Sequence, residues 1–148
     1  MTGFDKGQTK LPSYWSTNFS KICLGMKIKN HTRFVVINKQ ASSLYSLIAD
    51  GQYRATNLSR DTWMSLVGPT ASLQPNCNRE GFNAVPSTRY RVRIGLVANN
   101  EDNCKSCDSF IGFGSNSKAR TTCGNYASST RNNNGLRNTR GMGYILVQ

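Results

Sequence analysis

Acidic residues are scarce in this chain. It holds seven Asp and Glu against nineteen Lys and Arg, a formal net charge of +12. So few carboxylates leave little material for paired-acid catalysis. There is a single histidine, His31, in an Asn-His-Thr turn with no acid or serine beside it, which reads as a surface residue. No long apolar run exists, so no transmembrane helix is expected. Hydrophobic residues make up 37%, below the globular average, which points to a modest core and abundant loops. The opening MTGFDKGQTKLPSYW has no apolar stretch of the signal-peptide kind. That start suits either a cytosolic protein or an excised domain.

What the chain does contain is charge, cysteine and polar loops. Its 148 residues suit one domain with its own core. The positive charge favours polyanion partners such as nucleic acid, anionic glycans or an acidic membrane surface. Nucleic acid rests on charge alone, because no nucleic-acid motif accompanies it. Five cysteines (Cys23, Cys77, Cys104, Cys107 and Cys123) fit the disulfides of a secreted protein better than a small cytosolic one. An odd count leaves a thiol that is free, intermolecular (hence an oligomer), or paired outside this chain.

Patterning organises the rest. Residues 1–12 read as a flexible N-terminal segment and residues 13–148 as the domain. Residues 22–28 (ICLGMKI) and 32–38 (TRFVVIN) read as strands around a turn. Residues 43–48 are apolar, and 52–56 are expected to return as a strand. Residues 57–67 are the best helix, with Asn57 or Ser59 to cap it, Asp61 in its first turn and Gly68-Pro69 to stop it. Residues 70–86 are expected to be a loop around Cys77. In residues 89–97 (RYRVRIGLV), Tyr90, Val92, Ile94 and Leu96 face one way and Arg89, Arg91 and Arg93 the other. Residues 142–148 (MGYILVQ) are expected to be a closing strand. The fold class is α+β, a strand-rich single domain with long, disulfide-pinned loops.

Three features carry chemistry. Residues 99–126 concentrate Cys104, Cys107 and Cys123 with Glu101, Asp102, Asp108 and a Gly-x-Gly turn. Asn100, Glu101, Asp102 and Asp108 are candidate calcium ligands, since calcium takes oxygens from carboxylates, amides and backbone on a loop. The alternative is a solvated turn between strands. Cys104-Lys-Ser-Cys107 can be redox-active, half a zinc site, or a staple, and the staple is the preferred reading. Pairing Cys23 with Cys77, and Cys123 with Cys104 or Cys107, is one arrangement; spacing does not decide it. Arg89, Arg91 and Arg93 either hold an anion in bidentate fashion or form an exposed strand face. Beyond Asp108, the cations Lys118, Arg120, Arg131, Arg137 and Arg140, with Tyr126 and residues 132–134, either meet an anionic ligand or meet none. Trp15, Trp63, Tyr126 and Tyr144 can stack on a sugar or base, although most are expected in the core.

The C-terminal third resembles the fibrinogen-related domains and the intelectin-like lectins. The likeness lies in Cys107, Ile111-Gly112-Phe113-Gly114, Thr122-Cys123-Gly124-Asn125-Tyr126 and the final Gly143-Tyr144-Ile145-Leu146-Val147. Residues 99–104 are similar in place to the family's calcium loop, and Leu24-Gly25 to a Leu-Gly step in its first half. CLGMK, SSLYSLIADG and NCNREGFN resemble fibrinogen-like proteins of marine invertebrates. The Cys-Asp-Met and Gly-Gly-Gly-Trp-Thr motifs of the family's N-terminal subdomain are absent. Asp108 and Ser109 stand where intelectins have His, Asn125 where they have an acid, and Ser117 near an expected Glu. The resemblance implies a fibrinogen C-terminal-like fold and a secreted, non-enzymatic carbohydrate-recognition domain. It implies calcium in the 99–108 loop and ligand contacts from Asn125 and Tyr126, while the charge and the arginine stripe of Arg89, Arg91 and Arg93 favour anionic glycans. The other function in view is a structural or matrix protein that holds acidic polymers through its basic surface.

Overall fold

The structure, a computed structural model, describes residues 9–85, 90–115, 121–128 and 133–148. Arg89, Ser117, Lys118, Arg120, Arg131, Asn132 and the first eight residues of the expected flexible segment lie outside them. The described residues are rich in strand and build two antiparallel sheets. Among them no helix is long and apolar enough to cross a membrane.

The first sheet has the order β2-β1-β9. Strands β1 (Phe19–Ile28) and β2 (His31–Ala41) form the expected hairpin, and β9 (Met142–Val147) returns from the far end of the chain to pair with β1. Alternation decides the faces: Ile22, Leu24 and Met26 are fully buried. The second sheet has the order β3-β4-β5-β6-β7-β8, a meander in which neighbours in space are neighbours in sequence. Its strands are β3 (Arg54–Ala55), β4 (Asn76–Ala84), β5 (Val92–Asn99), β6 (Ser109–Phe113), β7 (Cys123–Ala127) and β8 (Arg137–Arg140).

Two expectations change here. Residues 70–86 are not one loop, because β4 runs through them with Gly81 opposite Gly95. The 99–126 segment is not one loop either, since β6 and β7 pair within it. Gly112 is no turn glycine. It sits between Gly95 and Gly124 in a row that crosses the sheet. A Cβ on Gly112 would lie 2.5 Å from the Ile94 carbonyl oxygen, so the close approach of backbones requires glycine there.

Short helices complete the fold. Residues 43–48, apolar in sequence, coil into α2 (Leu44–Ile48) behind a Ser43 capping box, and α1 (Ser13–Ser16) packs against it. Helix α3 (Arg60–Val67) packs against both sheets, and Trp63 and Leu66 are fully buried in the main core. Eight residues do not make a stable helix alone, so packing and end contacts must hold this one. Ser59 caps it, accepting a bond from the Thr62 amide. At the other end Arg33 of β2 donates to the Val67 carbonyl at 3.2 Å.

The N-terminal end is held by Glu80 of β4. Its carboxylate accepts from Thr56 Oγ1 at 2.6 Å, the Leu58 amide at 2.9 Å, the Ser59 amide at 3.1 Å and the Trp63 indole at 2.9 Å. Burial alone would raise its pKa. The bonds from Thr56, Trp63, Leu58 and Ser59 outweigh burial and hold it below the usual carboxylate value. A lowered folded pKa contributes stability that is complete above the unfolded value of about 4.3 and is lost as pH falls through the folded one. Glu80→Gln is therefore expected to lower unfolding free energy by about 1–3 kcal/mol at pH 7. It should also flatten the fall in stability below about pH 4.5. Urea titrations across pH check both.

Candidate functional site

The acidic loop does not assemble a calcium site. Asn99 is buried and turned inward, its Nδ2 donating to the Asn103 carbonyl at 2.6 Å and to Ser106 Oγ at 2.8 Å. Its own oxygen accepts from the Asn100 amide, and Asn103 Oδ1 accepts from the Lys105 amide. The Asn100 carbonyl accepts from Asn76. Asn99 and Asn103 thus spend their side-chain oxygens on the loop's own backbone. Glu101 and Asp102 are exposed, Asn100 and Asp108 half-buried, and the Asn100 amide donates to Glu101. Among the described residues, the His, Cys, Asp and Glu side chains that gather three ligand atoms within 4.8 Å are Cys77, Cys104 and Cys107, not these acids. The donor set does not fit the six to eight convergent oxygens that calcium takes.

The cysteines pair differently from the expected arrangement. Cys77 is bonded to Cys104, while Cys23, Cys107 and Cys123 are free thiols. Cys23 sits on β1 of the other sheet, and Cys123 packs against the main core, so neither is near the loop sulfurs. A register shift at the start of β4 accompanies positive φ at Cys77 and Asn78, where the strand bends toward the 3₁₀ turn Cys104–Ser106. Burial pushes the Cys123 thiol up to about 12.

The expected ligand residues divide. Asn125 is 0% exposed. It accepts from the Ser72 amide and donates to the Ser72 and Phe110 carbonyls, all at 2.8–2.9 Å. It is a buried joint rather than a sugar contact. Tyr126 clusters with Phe110 and Tyr90, its ring centroid 5.9 and 5.6 Å from theirs. Arg91 and Arg93 are both exposed, and Arg93 also donates to Asn83 Oδ1 at 2.9 Å and reaches the Ile48 carbonyl. The stripe expected from Arg89, Arg91 and Arg93 therefore offers Arg91 and Arg93 among its described members, with Arg93 already engaged by Asn83. The Asn-rich segment is a strap. Asn133 accepts from Arg60, Asn134 donates to the Pro69 and Ala71 carbonyls, and Arg137 donates to the Thr70 carbonyl.

A different surface brings binding chemistry together. Trp15 of α1 and Tyr45 of α2 are 52% and 47% exposed, with ring centroids 5.3 Å apart. Tyr14 packs edge-on to Trp15 at 4.8 Å, and Lys10 Nζ stands 4.9 Å over the Tyr14 ring and 5.6 Å over Trp15. An open cleft formed by residues that follow α1 and precede α2 in the chain is lined by Asn18, Phe19, Ser20, Gln40, Ala41, Ser42 and Gln148. Asn18 follows Trp15 by three residues and Ser42 precedes Tyr45 by three. Trp15 was legible as a stacking residue. Tyr45 and the cleft were not, because α1 and α2 are too short to show a helical period.

No family model, curated protein or solved structure matches the chain.

Asn125→Ala is expected to cost roughly 2–4 kcal/mol, because it strands the Ser72 amide and two carbonyls in the core. Urea unfolding checks this, and an unmoved midpoint would contradict the buried role.

Proposed function

We propose that this protein is a secreted carbohydrate-recognition domain, of the fibrinogen-related or intelectin-like kind that its sequence resembles. It acts as a binding module and not as an enzyme. The observation that carries this reading is the exposed Trp15–Tyr45 pair, on segments that run into a cleft with an apolar floor and amide and hydroxyl groups in its lining. Aromatic rings offer flat apolar faces to the C–H face of a sugar, and Asn, Gln and Ser supply donors and acceptors for its hydroxyls. Lys10 and the net charge of +12 favour glycans that carry sulfate or carboxylate. A disulfide fits an extracellular setting. Calcium has no part in this mechanism.

The test is a glycan array followed by calorimetry on the best ligand. Trp15→Ala should weaken binding at least tenfold (about 1.4 kcal/mol) while leaving the fold intact. Chelator should change nothing. Absence of glycan binding would sink the reading, and binding indifferent to Trp15 would move the site elsewhere.

A second reading is a structural or matrix protein that holds acidic polymers. It is favoured by one fact: seven carboxylates cannot neutralise nineteen cations, whatever the pairing. Its signature is binding that collapses with salt and ignores sugar identity.

A further inference from the structure

We propose that Cys77, Cys104 and Cys107 form a thiol–disulfide exchange site, in which Cys107 displaces Cys104 from Cys77 and so moves the free thiol from the interior to a half-exposed turn. The odd cysteine is then a working member of a trio rather than a remainder.

Geometry carries the inference. Cys107 Sγ lies 3.5 Å from Cys77 Sγ, the van der Waals contact from which a thiolate attacks a disulfide. All three sulfurs gather within 4.8 Å of one another, so Cys107 lies to the side of the Cys77–Cys104 bond and must swing behind Cys77 to attack in line. Cys104 and Cys107 flank the same short 3₁₀ turn, so changing partner asks for a local adjustment and leaves both sheets in place. The balance closes without a co-reactant. The Cys107 thiolate forms a bond to Cys77 Sγ, the Cys77–Cys104 bond breaks, and the electron pair leaves on Cys104, which takes up a proton. One disulfide and one thiol exist before and after.

The two isomers differ in what solvent can reach. Cys107 is 1% exposed, in a small cluster with Val97, Phe110, Tyr90 and Tyr126. Cys104 is half-buried. In the resting isomer the Cys107 thiol points at the Cys104 carbonyl at 3.0 Å. Burial, helped by the Asp108 charge and opposed by its own backbone amide and by Arg79, pushes it up to about 11. Only about one thiol in ten thousand is then ionised at pH 7, so the resting isomer is latched and exchange quickens about tenfold per pH unit. After exchange, the Cys104 thiolate can attack an external disulfide such as oxidised glutathione. A mixed disulfide forms on Cys104, and the thiolate of reduced glutathione leaves.

The experiment is a disulfide map of the intact wild-type chain. Samples are held at pH 7 and at pH 9, thiols are capped with N-ethylmaleimide, and tryptic peptides are read by mass spectrometry. Trypsin cuts after Lys105, so Cys104 and Cys107 fall on separate peptides. We expect Cys77–Cys104 to dominate at pH 7, and capped Cys104 with a Cys77–Cys107 linkage to grow at pH 9. The Cys104→Ser variant in a glutathione redox buffer should close Cys77–Cys107 while Cys107→Ser keeps Cys77–Cys104. Wild type that shows Cys77–Cys104 alone at both pH values would overturn the proposal. So would folded Cys104→Ser, by circular dichroism, with Cys77 and Cys107 both capped.

Discussion

The carboxylate of Glu80 is the contact on which the two-sheet arrangement turns. It stands on β4 in the larger sheet, yet all four of its partners belong to the segment 56–63 that leads into α3. A buried carboxylate is costly unless its oxygens are filled, and four donors fill them. Trp63 is thereby fixed at both ends, its ring in the core and its indole N–H on Glu80. Arg33 reaches from the smaller sheet to the other end of the same helix. An anion at the N-terminus and a cation at the C-terminus each suit the helix dipole. One short helix thus joins the sheets through two charged side chains, one from each.

That arrangement sets up the surface to which we assign binding. The ends of β1 and β2 and the residue after β9 meet at one edge of the smaller sheet, where Gln148 exchanges backbone bonds with Ser20 and Lys21. The cleft is built there. Helix α2 follows β2 directly and starts from a capping box at Ser43, which places Tyr45 beside α1 and Trp15. Aromatic groups carried on segments packed against each other lose little freedom when a ligand settles on them. The basic residues that stood out in sequence are placed differently, and Arg54, Arg60, Arg93 and Arg137 are tied to backbone carbonyls.

Where local pattern and tertiary structure agree, the sequence was readable. Strands β1, β2 and β9 have apolar patterns of the expected kind. Helix α3 carries a Ser59 cap, Asp61 and a Gly68 stop, all within reach of a local reading. Strand β4 (NCNREGFNA) was hidden because it lacks alternation and its place depends on β5. Gly112 suggested a turn because glycine in isolation says turn; only the register places it in a row with Gly95 and Gly124. Asn125 suggested a ligand because burial does not show in a polar side chain. Disulfide pairing follows from the fold and from the bend at Cys77, so five cysteines alone could not give it. Trp15 was readable as a stacking residue, but its partner Tyr45 and the cleft exist only once α1 and α2 meet.

The account turns on where a sugar touches the surface. Amide and indole NMR shifts of isotope-labelled protein, titrated with a sulfated oligosaccharide, report that location directly. The account predicts that the Trp15 indole N–H and the side-chain amides of Asn18 and Gln40 move together and saturate. Shifts confined to Arg91 and its neighbours, with Trp15 unmoved, would contradict it.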